Sequence, residues 1–368
     1  MSILFYFILL AFLFISFFFL NKLFGFANNI DKSKFPQIDG LRAILALSVI
    51  FHHSLIMYYY SISGNWESPP SRFYALLGPV SVSLFFMITG FLFGFKLFKE
   101  SFDIKRFFIS RIKRIVPLYI FSVVVLVFIV FYINDFVLKE DIVSLIKNIL
   151  NWLSFKFVHF TPINTETRVF EIQSVYWTLK WEWKFYMALP FLFLLNKKVF
   201  KNNNVRFVLF LLVLFFFYRY VYVFIFLLGV LTALLYNENI KINSVLLNIF
   251  GLLSIVLVFI FYDTAYERVP AILLGVFFAS VVLSKNLNFI FNIKILRYFG
   301  TISYSLYLLH NMVVFFVFYN INIYYKKISM ITQFEYWVIV FIILVLTSLF
   351  SMVTYKMIEH RFYKRGAK

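Results

Sequence analysis

The sequence predicts an all-α membrane protein, a polytopic bundle of about eleven transmembrane helices. Three observations predict it. Of the 368 residues, 63% are hydrophobic, and the mean hydropathy is +0.89, whereas soluble domains run at roughly 45–50% apolar. Continuously apolar stretches recur at the roughly 20-residue length that a hydrocarbon core of about 30 Å demands. These stretches also lack the apolar–polar alternation over about ten residues that marks a membrane barrel.

The first span is Leu4–Leu20. It has neither a basic n-region nor a small-residue cleavage site, so it is expected to be a retained helix rather than a signal peptide. Ten more follow: Gly40–Tyr60, Tyr74–Phe98, Ile115–Ile133, Trp177–Leu195, Val205–Tyr218, Arg219–Tyr236, Val245–Tyr262, Val269–Ser284, Ser303–Ile323 and Phe334–Met357. Val205–Tyr218 is short, and its break from the next span is weak. The longest connection, Asn134 to Tyr176, carries an amphipathic stretch, Ile142 to Phe157, with Trp152 suited to an interface. No internal repeat and no second soluble domain is visible. Residues 1–35 are expected to form an additional helix and linker, 36–362 the membrane domain, and 363–368 a basic cytoplasmic tail.

The net charge of +19 would suggest nucleic acid in a soluble protein. Here it has a topological reading, and no nucleic-acid partner is expected. With the N-terminus outside, one set of loops holds 24 basic residues and the other nine; Lys180 and Lys184 fall inside a span. The positive-inside rule puts the richer set, and the C-terminus, in the cytoplasm. The chain has no cysteine, which excludes disulfides, thiol nucleophiles and thiolate metal sites. Five histidines without HExxH spacing, with no cysteine and few carboxylates nearby, give a poor metal signature, and no metal is expected.

Ionisable groups at the bilayer centre cost roughly 2.5–3.5 kcal/mol each on insertion scales, so each needs a reason. Four places stand out. In Asp39-Gly40-Leu41-Arg42, followed by His52-His53, eleven residues separate Arg42 from His53. That is three helical turns plus about 20°, so the two side chains share a face about 16 Å apart along the axis. Arg42 can equally be a boundary anchor. Trp177 to Tyr186 carries Lys180, Glu182 and Lys184. Snorkelling in an aromatic belt explains the lysines but explains Glu182 poorly. Arg111 and Arg114, one turn apart, present two guanidinium forks that suit phosphate, or a stop-transfer cluster. In Gly300 to His310, Ser303, Tyr307 and His310 fall within about 60° of one helical face. Such a seam serves chemistry or interhelical hydrogen bonding.

Together these segments resemble the membrane acyltransferase-3 family. The matching pieces are Ile38-Asp39-Gly40-Leu41-Arg42-Ala43 with His53; Phe85 to Leu92; Arg111-x-x-Arg114 leading into Ile115-Val116-Pro117; Trp177-Thr178-Leu179 with Glu182 and Phe185-Tyr186; Ser303-Tyr304-Ser305-Leu306-Tyr307 with His310; and Glu359-His360-Arg361-Phe362. They follow the family order over about Pro36 to Phe362. There are departures. His52 stands where the family often has a hydrophobic residue, and the eleven-residue spacing favours His53. Lys180 and Trp181 replace smaller or aliphatic residues. Leu4–Leu20 is extra to a ten-span core, and the C-terminal hydrolase-like domain of some members is expected to be absent, so a second transfer step would need another protein.

The resemblance implies O-acylation of cell-surface or lipid-linked glycans in a bacterial inner membrane, with acyl-CoA, usually acetyl-CoA, as donor and no metal. On this reading Arg42, Arg111 and Arg114 take the CoA phosphates. His53 is the base, with Glu182 as its carboxylate partner. Ser303, Tyr304, Tyr307 and His310 are the substrate or oxyanion candidates. Membrane lipid surrounds the whole. The rival class is a transporter or flippase for a glycan precursor, whose path would also be lined by polar residues. Against it stands the lack of repeat symmetry and of paired broken helices.

Overall fold

The computed structural model describes residues 2–27, 33–97, 103–154, 161–192, 203–238, 243–284 and 291–364. Lys32, Lys99, Lys156, Lys197, Lys198, Lys201, Lys241 and Lys285 of the charge count lie outside these residues, as do residues 365–368 of the basic tail. Among the described residues there is no strand, and the helices follow the apolar runs. They are α1 (Leu4–Phe24), α2 (Pro36–Ser63), α3 (Arg72–Leu97), α4 (Ile104–Ile133), α5 (Ile142–Leu153), α6 (Val169–Ile172), α7 (Tyr176–Leu192), α8 (Asn203–Phe216), α9 (Val221–Asn237), α10 (Ser244–Phe261), α11 (Arg268–Leu283), α12 (Lys294–Thr301), α13 (Ser303–Asn320) and α14 (Gln333–Thr354). A helix coincides with the described part of each of the eleven expected spans, while Phe98 and residues 193–195 lie outside the described residues. Seven helical segments are long and apolar enough to cross a membrane by themselves.

Local chemistry sets the ends. Pro36 opens α2, where a missing N–H costs nothing. The Asp103 carboxylate accepts from the Arg106 amide at 3.0 Å and so starts α4 at Ile104. The span expected from Ile115 is therefore three turns longer, and Arg111 and Arg114 sit on a helix rather than in a loop. Thr332 and Glu335 form a reciprocal capping box at the head of α14. The weak break after Val205–Tyr218 is a single 3₁₀ turn, Phe217–Arg219.

α2 and α3 form the centre. In their most apolar windows, 83% and 78% of residues are buried, against 22% in α1 and in α10. The outer helices instead turn Phe, Leu and Ile side chains outward, as lipid requires. Close backbone approach makes the centre possible. A Cβ on Gly90 would collide with the Phe226 carbonyl, and one on Gly229 with the Met87 carbonyl. α3 and α9 thus cross through mutual glycine notches, the small-residue packing expected where lipid supplies no hydrophobic drive. α1 is joined to the core: the Tyr6 and Ser48 hydroxyls are 2.7 Å apart, and Phe17 meets Phe299 edge-on at 5.0 Å.

The long connection differs from expectation at Trp152. α5 does expose an apolar face of Ile142, Val143, Ile146 and Leu150, but Trp152 is buried. Its indole N–H donates to the Thr161 carbonyl at 2.9 Å, and its own carbonyl accepts from Tyr119 at 2.5 Å. A tryptophan with its polar edge satisfied internally has no need of the interface. Phe157, the end of the expected amphipathic stretch, lies outside the described residues.

Because the α3–α9 notch is closed by backbone, Gly229→Ala is expected to destabilise the protein by about 1–3 kcal/mol, the usual range for overpacking. Thermal denaturation in detergent checks this; an unchanged midpoint would contradict the crossing.

Candidate active site

α2 sets one side of the site and α13 the other. Along α2, Arg42 lies near the start and His53 three turns later. Along α13, Ser303, Tyr307 and His310 follow one another on the seam the spacing predicts, and Tyr304 lies about 100° round the helix from Ser303. Two cavities open between these helices. The first, of about 110 Å³, is lined by Arg42, Arg111, Arg114, Glu182, Tyr186, Ser303, Tyr304 and apolar neighbours. The second, of about 340 Å³, is lined by His52, His53, Trp66, Phe170, Ser174, Trp177 and Tyr266 among others. Tyr307 and Val82 line both. Tyr307 donates to the Thr178 hydroxyl at 3.0 Å and meets Phe85 edge-on at 5.6 Å. These side chains are the wall between the two cavities.

The first cavity is built around three guanidiniums. Arg111 is buried, with its guanidinium 5.0 Å from the Phe93 ring centre, a cation–π contact. Arg42 lies 4.0 Å from Asp39, a turn earlier. Glu182 accepts a hydrogen bond from Tyr186 and feels the charges of Arg111, Arg114 and Arg42. Glu359 is buried nearby, accepts from Ser305, and also feels Arg114 and Arg42. The cavity therefore sets one carboxylate, Glu182, among three guanidiniums, with Glu359 buried close to Arg114 and Arg42. Ser303 keeps a buried hydroxyl with no hydrogen-bond partner among the described residues. Tyr304 is committed to the Ile115 carbonyl at 3.1 Å.

The second cavity contains a hydrogen-bonded file. His310 Nδ1 lies 2.8 Å from the Tyr307 carbonyl and 3.2 Å from that of Leu306. A carbonyl only accepts, so Nδ1 carries the proton, and on a neutral ring Nε2 is an acceptor. His53 Nδ1 sits 2.9 Å from that Nε2 and must donate to it. This leaves the lone pair of His53 on Nε2, where the Ser174 hydroxyl donates at 3.2 Å. One backbone helix turn thus fixes the tautomer of two rings and aims a base at the cavity.

This differs from the expected pairing. The partner of His53 is His310; neither ring nitrogen of His53 bonds Glu182, which lies in the arginine cavity. Depth along each span placed both residues between the membrane faces, but rotation about α7 turns Glu182 toward Tyr186 and the guanidiniums. His310 likewise has both nitrogens engaged, so it orients His53 rather than offering an oxyanion donor. Of the four α13 candidates, only Tyr307 borders both cavities. His52 lines the second cavity but is not part of the file: its Nδ1 donates to the Tyr74 carbonyl at 2.9 Å, and its ring fills the space left by Gly78. Lys184 is exposed, with Nζ 4.2 Å above the Trp181 ring. Ser174 was not singled out in the sequence. The available signal was its place at the head of the Trp177 span.

The profile of a family described as an acyltransferase domain matches residues 35–356. A protein of Staphylococcus aureus (strain COL) named "Putative O-acetyltransferase" is 28% identical over 395 residues, covering 95% of this chain and 60% of that protein. A second, the O-acetyltransferase OatA of Staphylococcus aureus (strain NCTC 8325 / PS 47), is 25% identical over 381 residues, covering 90% of this chain and 58% of that protein. This chain therefore spans about three fifths of the length of these relatives. No solved structure matches it.

The tautomers can be read directly. In ¹⁵N-histidine NMR spectra, His53 and His310 are both expected as the Nδ1–H form, and His310→Ala is expected to release His53 to the mixture of an unconstrained ring. An Nε2–H form at His310 would contradict the file.

Proposed function

The chain belongs to this acyltransferase family, and from that premise we propose that it is a multi-pass O-acetyltransferase of the bacterial inner membrane. On this reading it moves an acetyl group from acetyl-CoA to a hydroxyl of a cell-surface or lipid-linked glycan. The single observation that carries the reading is the wall at Tyr307 between a cavity of arginines and a cavity holding an oriented imidazole. A donor rich in phosphate and an acceptor rich in hydroxyls need such different surroundings. The O-acetyltransferase names of the two relatives support the same chemistry.

Arg42, Arg111 and Arg114 bind the phosphates of CoA, since forked guanidiniums match phosphate oxygens and remain charged. Glu182 keeps these cations in place when no donor is bound. The thioester extends from there toward Tyr307 and Val82. A hydroxyl is a poor nucleophile because its pKa is high, and His53 Nε2 takes its proton as attack proceeds. His310 stabilises the imidazolium by accepting from its other nitrogen, the role that a carboxylate plays in a hydrolase triad. The excess of basic residues in one set of loops supports an orientation with the arginine cavity toward the cytoplasm, the N-terminus outside and the C-terminus inside. The acceptor then approaches His53 from the outer face.

Purified protein given acetyl-CoA and a panel of glycans is expected to release CoA. His53→Ala is expected to lower kcat by about 10²–10⁴-fold, the range of a lost general base. Arg111→Ala or Arg114→Ala is expected to raise KM for acetyl-CoA by about tenfold or more, the cost of a charge-assisted contact. An inserted, folded His53→Ala protein with wild-type turnover would remove the centre of the mechanism.

A further inference from the structure

Ser174 has no place in a direct transfer from thioester to acceptor, yet it occupies the position from which His53 would draw a proton. It is buried, and its hydroxyl is 3.2 Å from His53 Nε2. With His53 Nδ1 bonded to His310 Nε2 at 2.9 Å, the order is hydroxyl, base, orienting group. That is the arrangement by which a serine becomes a nucleophile, and it is recognised by geometry rather than by sequence order. Ser174 also stands in the turn that leads into α7, two residues before Tyr176. Among the described residues, the backbone N–H groups of Val175, Tyr176 and Trp177 make no hydrogen bond to a backbone acceptor, as expected for the first turn of a helix. Such N–H groups, at the positive end of the helix dipole, stabilise negative charge that develops beside them. The neighbours hold the serine still. Gln173 donates to the Leu308 carbonyl at 2.8 Å, and the Tyr176 and Ser122 hydroxyls are 2.7 Å apart.

We propose that Ser174 is a catalytic nucleophile that carries the acyl group as an ester between donor and acceptor; this rests on the acyltransferase reading above. In the first half, Ser174 Oγ attacks the thioester carbonyl carbon while His53 Nε2 takes the hydroxyl proton. The resulting oxyanion lies at the head of α7. It collapses with cleavage of the C–S bond, and the CoA sulfur leaves with the proton from His53. In the second half, the acceptor hydroxyl gives its proton to His53 and attacks the Ser174 ester. Ser174 Oγ departs and recovers that proton. The acyl group moves from the CoA sulfur to the Ser174 oxygen and then to the acceptor oxygen, and nothing is oxidised or reduced. The His310 bond serves both halves, because His53 is base and then acid in each.

The test uses the full chain in detergent with radiolabelled acetyl-CoA and no acceptor, quenched, digested and examined by mass spectrometry. Wild type is expected to carry one acetyl ester on the peptide containing Ser174, cleaved by hydroxylamine and discharged when the glycan panel is added. Ser174→Ala is expected to lose the label and to lower CoA release by about a hundredfold or more, the scale of a lost nucleophile in a unit of this kind. Ser174→Cys keeps the packing and is expected to take the label as a thioester, which separates loss of chemistry from loss of fold. Wild-type CoA release by Ser174→Ala, or label on another residue, would overturn the assignment. A wild type that releases CoA with the glycans but is never acetylated at Ser174 also overturns it while leaving the acyltransferase reading intact. A wild type that neither releases CoA nor takes label fails both.

Discussion

The hydrogen bond between His53 and His310 is the constraint around which the rest is arranged. It joins two helices whose contact residues are 257 positions apart in the chain. A buried polar group left without a partner is costly, and each ring here satisfies the other. The bond fixes the rotation of α13 against α2. It thereby sets Tyr307, one turn before His310, between the two cavities. Ser303 and Tyr304, a further turn back, fall beside the arginines. The glycine notches of α3 and α9 bring Phe85 and Val82 to the same wall from the opposite side.

Much of the fold was legible in the sequence because lipid imposes a one-dimensional signal. A run such as Val245–Tyr262 must be a helix, and α10 matches it within a residue at each end. The polar seam of α13 was legible for the same reason, since helical period alone aligns Ser303, Tyr307 and His310. What a period cannot give is rotation between helices distant in the chain. His53 and Glu182 were both visible as misplaced ionisable groups, but nothing local said whether their faces meet, and they line different cavities. Ser174 was invisible for a different reason. A serine in a loop is ordinary, and only the fold brings it to an imidazole. The α4 start was missed because Asp103 extends the helix through a charged stretch that hydropathy reads as loop.

The two cavities also account for residues that composition alone would call unexceptional. Phe93 and Phe107 flank the Arg111 guanidinium, so part of the aromatic content works on charge placement rather than on packing. Trp66 lies nearly parallel to the His53 ring at 6.2 Å and roofs the second cavity. Gly78 is needed for the shape of His52 and not for a turn, which shows how a missing side chain can position a present one.

The wall at Tyr307 has an electrical meaning. On the proposed orientation the two cavities would enter from opposite faces and thin the insulating layer locally, so the membrane potential would drop mainly across the wall. Moving one elementary charge through 100 mV takes about 2.3 kcal/mol. With the proposed orientation, the phosphates of the donor stay on the arginine side and never cross that drop. On that reading only the acyl group passes, and it is neutral, so the transfer would do no work against the field. On the same reading the Tyr307–Thr178 bond would hold that layer closed between turnovers, and a cell could carry such a protein without short-circuiting its own membrane.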